Sequence, residues 1–469
     1  MKNWSFMLMA FTAASLPLLA SSPLALAEKS WTGSESNDWH LADNWQPAGV
    51  PSAVNAVLVD GAGDSTWPRI DSATGLGQAI VLGRAGQAQL TLGQTAVLVA
   101  ESLLLAEQAG SVADLVIEGV VAGQLDLPAV VGGSGSARLV FRHNQSNYEF
   151  RRPSGEAVNT SGSLMLVHDE FSFTRLLGEH SHTGGTRVHR GDFELSGAQL
   201  NHPTVALEVA PEAANVALVM IRNGAVAEVG STLVAGGPGS FASVQVFNNS
   251  TLEVNGELAV GVAGTAFVDA SGGIVQAGSI RLGSDLPASG QAIITVLGAF
   301  GRVFVSGDVD VDGTDGLARF HLSSGGEASI GGDVRVGPGA GGSAELELGV
   351  VAGLVIDGQL NLADRAVLRL GVDAFSHPLI EAGSVQIAAG AAFAVPEPAV
   401  PPESGSVFTV LEAPAGISGT FSDIDLPAGW TLIQEPTRLR VALVESDDIF
   451  TDRFESNGKN SIMTSGNEM

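Results

Sequence analysis

A short apolar phrase closing on a small residue returns about every two dozen positions along this 469-residue chain. It reads Ile80-Val81-Leu82-Gly83, Leu103-Leu104-Leu105-Ala106 and Ala129-Val130-Val131-Gly132, and later Leu258-Ala259-Val260-Gly261, Ile280-Arg281-Leu282-Gly283, Val334-Arg335-Val336-Gly337 and Leu360-Asn361-Leu362-Ala363. Steps between third residues, from Val260 to Leu282, Val311, Val336 and Leu362, are 22, 29, 25 and 26. Strands this short cannot bury two faces alone, so each repeat must stack on its neighbours. The pattern predicts an all-β solenoid, a right-handed parallel β-helix. The third residues, Leu82, Leu105, Val131, Val260, Leu282 and Val336 among them, are expected to point inward and lie above one another.

Glycine supplies 60 residues, well above the usual share of about 7%. The glycines keep no three-residue period, which excludes collagen. Alternating runs such as Leu90-Thr91-Leu92, Val97-Leu98-Val99 and Val303-Phe304-Val305 exclude disorder over residues 76–375 and leave no helical periodicity. Two interruptions are visible. Residues 142–160 are polar and locally basic and read as a loop excursion from the rod. Residues 395–404 carry Pro396, Pro398, Pro401 and Pro402, a density that prevents ladder pairing and implies a stiff connector within C-terminal strands 376–445. The polar tail 446–469 is expected to be disordered.

The N-terminus reads as an address. Lys2, the apolar run Phe6–Leu19 and Ala25-Leu26-Ala27 have the form of a secretory signal peptide, residues 1–27. A buried helix is the alternative, opposed by Pro17 and Pro23. No other stretch suits a membrane-spanning helix. The mature chain of 442 residues has 21 basic against 50 acidic groups, a net charge of −29, and lysine only at Lys29 and Lys459. Such a surface excludes nucleic acid as a ligand. With no cysteine, this exported chain is stabilised without disulfides.

Four segments carry a family resemblance. Trp31-Thr32-Gly33, Trp39, Asn44-Trp45, Gly49, Pro51 and Val57-Leu58-Val59-Asp60 open the mature chain; His182-Thr183-Gly184-Gly185-Thr186-Arg187-Val188-His189-Arg190-Gly191-Asp192-Phe193-Glu194-Leu195-Ser196-Gly197 follows. With the apolar phrases and the closing segments Phe408–Ala413, Gly416–Phe421 and Leu426–Trp430, they resemble secreted bacterial β-helix passengers of autotransporters with autotransporter-associated β-strand repeats. In that family an aromatic usually stands at the place of His182 and a small polar residue at that of His189. The resemblance implies an N-terminal aromatic cap over residues 28–75. Fewer than 70 residues follow the proline-rich connector, too few for the family's C-terminal translocator barrel. The ending Asp447–Glu455 is similar to a short acidic-aromatic tail on some exported bacterial proteins.

Three constellations could carry chemistry. His168, His180, His182, His189 and His202 fall within 35 residues, and His180 and His182 share a strand face. Metal binding is one reading and turn or surface histidines the other. Asp308, Asp310, Asp312 and Asp315 begin like a calcium loop, but the twelfth position is Arg319 rather than glutamate; plain alternation, with Val309 and Val311 inward, is the competing account. Glu149, Arg151 and Arg152 with His143 form the one concentrated polar patch, the place where a polysaccharide lyase or glycoside hydrolase would gather its base and carboxylates. Apart from possible calcium, no cofactor is implied. The expected function is a non-catalytic secreted or cell-surface β-helix protein of a bacterium, adhesin-like or structural in an extracellular matrix, meeting extracellular glycans or cell-surface components. A carbohydrate-active β-helix enzyme is the alternative.

Overall fold

The computed structural model describes residues 27–61, 66–337, 341–374 and 376–444. The signal-peptide and tail assignments fall outside these residues, except for Ala27. The chain coils into a parallel β-helix of about 14 turns, which at about 4.8 Å per rung makes a rod of ~65 Å. Among the described residues no helix is long and apolar enough to cross a membrane.

One turn shows how the repeat is built. Gln291–Leu297, Arg302–Val305 and Val309–Val311 form three successive strands, and each pairs in parallel with its counterpart in the next turn, Leu317–Ser323, Glu327–Ile330 and Val334–Val336. Alternation places one side chain in two inside. In the first strand these are Ala292, Ile294 and Val296, all buried. The recurring phrase supplies the third strand. Val188, Val209, Val234, Val260, Leu282, Val311, Val336, Leu362 and Ile387 lie in direct register, one above another, and all are buried. Each contributes roughly 1.5–3 kcal/mol by leaving water.

One phrase is out of step. Val131 pairs with Leu104, on the outward side, while Val130 pairs with Leu103 and Gly132 takes the inward place beneath Leu105. Val130 is therefore buried and Val131 only partly so. The reason lies in the next turn: a side chain at Gly132 would meet the backbone N of Leu164 at 2.5 Å, so the column narrows to glycine there.

Between the second and third strands the backbone bends at a column of glycines, Gly230, Gly256, Gly278, Gly307, Gly332, Gly358 and Gly383. Rungs approach so closely that a Cβ at Gly307 would sit 2.7 Å from the Gly278 carbonyl oxygen, and one at Gly358 would sit 2.6 Å from that of Gly332. The same approach lets Gly307 N–H donate to Gly278 O at 2.8 Å and Gly332 N–H to Gly307 O at 2.9 Å. Glycine is required here by space rather than by a left-handed φ.

Residues 142–160 do not leave the rod as an excursion. Ala129–His143 runs on through Tyr148–Phe150, which pairs in parallel with Asn159–Leu176, and Tyr148 and Phe150 are buried. The exposed turn at 151–157 is closed by an antiparallel bridge between Arg151 and Ala157, and Val158 is buried again. Arg142 sits on the outward side of a strand whose inward side carries Phe141 and His143, and Arg151 and Arg152 begin the turn that follows Phe150.

Both ends of the stack change from parallel to antiparallel pairing. Ala27–Trp31 is parallel to Asn55–Val59 but antiparallel to Trp45–Gln46. Trp31, Trp39 and Trp45 pack edge to face at 5.0 and 4.8 Å and are buried. At the other end Val407–Glu412 pairs antiparallel with Arg438–Leu443, which pairs antiparallel with Trp430–Gln434. Each terminal hairpin covers an edge that would otherwise template another chain.

Candidate functional site

The four aspartates do not assemble into a cation site. Asp308 accepts the Asp333 N–H at 2.9 Å and pairs with Arg335 at 2.8 Å, and these two contacts hold its carboxyl below the usual range. Arg335 also reaches Asp310 at 3.1 Å. Asp312 accepts the Thr314 hydroxyl at 2.9 Å, and Asp315 makes no polar side-chain contact among the described residues. Val309 and Val311 face the core. Among the described residues, no three His, Asp or Glu side chains come together as metal ligands.

The basic patch is likewise divided. Arg151 pairs with Glu149 at 2.9 Å, and Arg152 pairs with Asp126 at 2.9 Å and Glu156 at 2.7 Å. Glu149 is shared with Arg175 at 2.7 Å. Arg175 continues to the fully buried Glu194 at 2.8 Å, whose other oxygen meets Arg222. The result is a chain of alternating charge running from rung to rung, because Glu149, Arg175 and Glu194 occupy facing register positions. His143 belongs to none of this. It points into the core, out of reach of the patch it was grouped with.

The histidines are the largest departure from sequence expectation. Instead of turn or surface groups, His168, His180, His182 and His202 are buried, and His143 joins them. Threonines on adjacent rungs bridge them. Thr160 Oγ1 lies 3.0 Å from both His180 Nδ1 and His182 Nδ1. Thr186 Oγ1 lies 3.1 Å from His182 Nε2 and 3.2 Å from His202 Nε2. A second set joins His143 Nε2 to Thr174 Oγ1 at 2.8 Å and Thr174 to His168 Nδ1 at 3.4 Å. Of the five histidines singled out in sequence, only His189 lies outside the core, with Nδ1 at 3.6 Å from Asp169.

Hydrogen-bond inventory fixes how the longer chain works. A threonine hydroxyl has one proton to donate, and a neutral imidazole has one N–H. His180–Thr160–His182–Thr186–His202 must therefore run in one direction or the other. Its end atoms, His180 Nε2 and His202 Nδ1, are buried without partners. In either direction one end holds an unpaired N–H and the other a bare nitrogen. Protonating His182 would leave an unpaired N–H at both ends. Burial accordingly dominates the titration: it pushes His180 and His143 down to about 4 and His168 to about 3, with the neighbouring His143 adding to the last. Burial also lowers His182 and His202, and His182 is lowered further by the histidines on either side of it. The arrangement is a neutral core ladder, with no open position for substrate.

A shallow groove lies outside this ladder, about 160 Å³ in volume. Its floor is an outward apolar stripe, Val116, Val140 and Val167, with Met165 packed against it. Two of its arginines are held closely, Arg138 by Asp114 at 2.5 Å and Arg187 by Glu208 at 2.5 Å, and Arg142 more loosely by Asp169 at 3.7 Å. In comparisons with known proteins, the chain matches no family model and no curated protein.

Proposed function

We propose that this protein is a non-catalytic rod, exported through its N-terminal signal peptide and held outside the cell or on its surface, where it acts as an adhesin-like or matrix-type structural element. The observation that carries this reading is how the outward charges are used. Glu149, Arg175, Glu194 and Arg222 brace consecutive rungs, as do Asp114 with Arg138, Arg319 with Glu345 and Arg335 with Asp310. Facing opposite charges stabilise a ladder by fractions of a kcal/mol each; repeated along a rod, they favour length and rigidity. Weak contacts to glycans or cell-surface components, repeated on such a surface, would give avidity without a strong single site.

The test has two arms. Mature protein is incubated with a polysaccharide panel while unsaturated products and reducing ends are followed, and its retention on bacterial or host-cell surfaces is measured in parallel. Retention without turnover supports the rod. Turnover that disappears on replacing Glu149, Arg151 or Arg152 would replace this reading with a carbohydrate-active enzyme.

A further inference from the structure

A second groove, of about 350 Å³, opens on the outward side of the second-strand face, against the glycine bend. In register along its floor stand Glu253, Gln276, Phe304 and Ser329. Asn255 and Asp357 line its flank. Phe304 is 41% exposed, as its outward place on the strand requires, whereas Phe320 in the strand Leu317–Ser323 points inward and is buried. Among the described residues no lysine, arginine or histidine lines the groove.

The charge pattern on either side sharpens the contrast. One flank carries Arg302 paired with Glu327 at 3.2 Å. Across the bend, Arg281 pairs with Glu257 at 2.6 Å, and Arg335 holds Asp308, Asp310 and Asp333. Between these neutralised columns, the carboxylates of Glu253 and Asp357 have no ionic or hydrogen-bonding partner among the described residues, and neither does the amide of Gln276. Glu253 stands two rungs from Phe304 on one side and Asp357 two rungs away on the other, about 10 Å or more each at about 4.8 Å per rung. An organic cation over the ring therefore reaches one carboxylate at a time: the ring quadrupole attracts it, its apolar stem covers the ring, and that carboxylate accepts its N–H groups. The formal net charge of −28 steers cations toward the surface.

We propose that this groove docks a lysine or arginine side chain of a basic polypeptide partner. Docking is a property of this one groove and does not depend on the rod's adhesive role.

Binding of a fluorescently labelled hexa-arginine peptide to the mature protein would be measured by anisotropy at low and at physiological salt. All substituted positions are at the surface, and melting curves would check that each variant folds. Phe304→Ala should weaken binding about fivefold, the scale of one cation–π contact. The pair Glu253→Gln and Asp357→Asn should weaken it by about tenfold more than the charge-matched pair Glu35→Gln and Glu179→Gln, which lies on other parts of the surface. Three results would overturn the proposal: an equal loss in the control pair, which would mean attraction by bulk charge; unchanged affinity in Phe304→Ala; or displacement of the peptide by a neutral hexasaccharide, which would reassign the groove to sugars.

Discussion

Two stretches of one rod solve the same stacking problem with opposite chemistry. From Val209 to Ile387 the inward column of the third strand is aliphatic in every turn, and its register holds through repeats of unequal length. Between His143 and His202 the interior holds, beside aliphatic side chains such as Leu166 and Val188, five imidazoles and the hydroxyls of Thr160, Thr174 and Thr186. Apolar contact is non-directional, so a Val can be exchanged for a Leu above it while turns lengthen or shorten. A hydrogen-bonded ladder is directional. Each threonine there must find a nitrogen on a particular rung, and each imidazole must hold a particular tautomer. The aliphatic part tolerates variation and rejects charge; the polar part tolerates polarity and depends on pH.

The largest effect expected from this contrast comes from charging the aliphatic column. Val336→Asp buries a carboxylate between Val311 and Leu362 with no cation in reach and should cost about 3–5 kcal/mol, the scale of an uncompensated buried charge. Denaturant unfolding should show this loss throughout the neutral pH range. A loss below about 1 kcal/mol would mean that the column is not packed as described.

Acid should act on the other stretch. In the folded protein His143 and His180 titrate near 4, well below the ordinary 6.5, so between these values the unfolded chain binds protons that the folded chain refuses. Stability contributed by the neutral histidines is therefore complete above about pH 6.5. It falls as the pH drops toward 4, by on the order of 3 kcal/mol for each such histidine. Hydrogen exchange at pH 4.5 should show faster opening over residues 143–202 than over 209–387. Uniform exchange along the rod would remove the distinction between the two stretches.

These differences bear on what could be read in the sequence. The steps of 22, 29, 25 and 26 found the aliphatic column because alternation and residue type agree there. At Ala129-Val130-Val131 the phrase is all apolar, so residue type cannot say which of Val130 and Val131 faces inward; only the pairing of Gly132 with Leu105 decides. Tyr148-Glu149-Phe150 alternates visibly, yet the surrounding arginines make the segment look exposed, although Arg142 lies outward on its strand and Arg151 and Arg152 are ion-paired at the turn. The histidine ladder had one sequence signal, the shared face of His180 and His182. Its threonine partners lie 20 and 22 residues away for Thr160 and 16 for Thr186 and His202, spacings that gain meaning only once the turns are stacked. The glycine bend was legible in principle, since Gly256, Gly278, Gly307, Gly332 and Gly358 repeat the same intervals as the aliphatic column.

Breaking one bridge separates the cost of a missing hydrogen bond from that of acid. Thr186→Val keeps the side chain's shape and removes the hydroxyl shared by His182 and His202. Two buried imidazole nitrogens then lose a partner, at about 1–3 kcal/mol. Adding His202→Leu should restore part of that loss, because it removes one of the unpaired groups, and should also reduce the acid sensitivity between pH 6.5 and 4. If the double variant is less stable than the single and equally acid-sensitive, the bridge through Thr186 does not organise this part of the core.

The smallest expected effect tests the glycine bend, whose column from Gly230 to Gly383 lies within the aliphatic stretch. At Gly307 an added methyl would lie 2.7 Å from a backbone oxygen, which cannot rotate away as a side chain could, so Gly307→Ala should force rungs apart and cost about 1–3 kcal/mol, the range for overpacking. Gly353 offers the control. It lies in the strand Gly353–Leu362, has no positive φ, and a methyl there meets nothing within 4 Å. Gly353→Ala should be neutral or stabilising by up to about 1 kcal/mol, because alanine restricts the unfolded chain without straining the folded one. Thermal melts of the two variants therefore carry opposite expectations for the same chemical change. Equal destabilisation would show that general strand propensity, rather than the close approach of successive rungs, sets the demand for glycine at the bend.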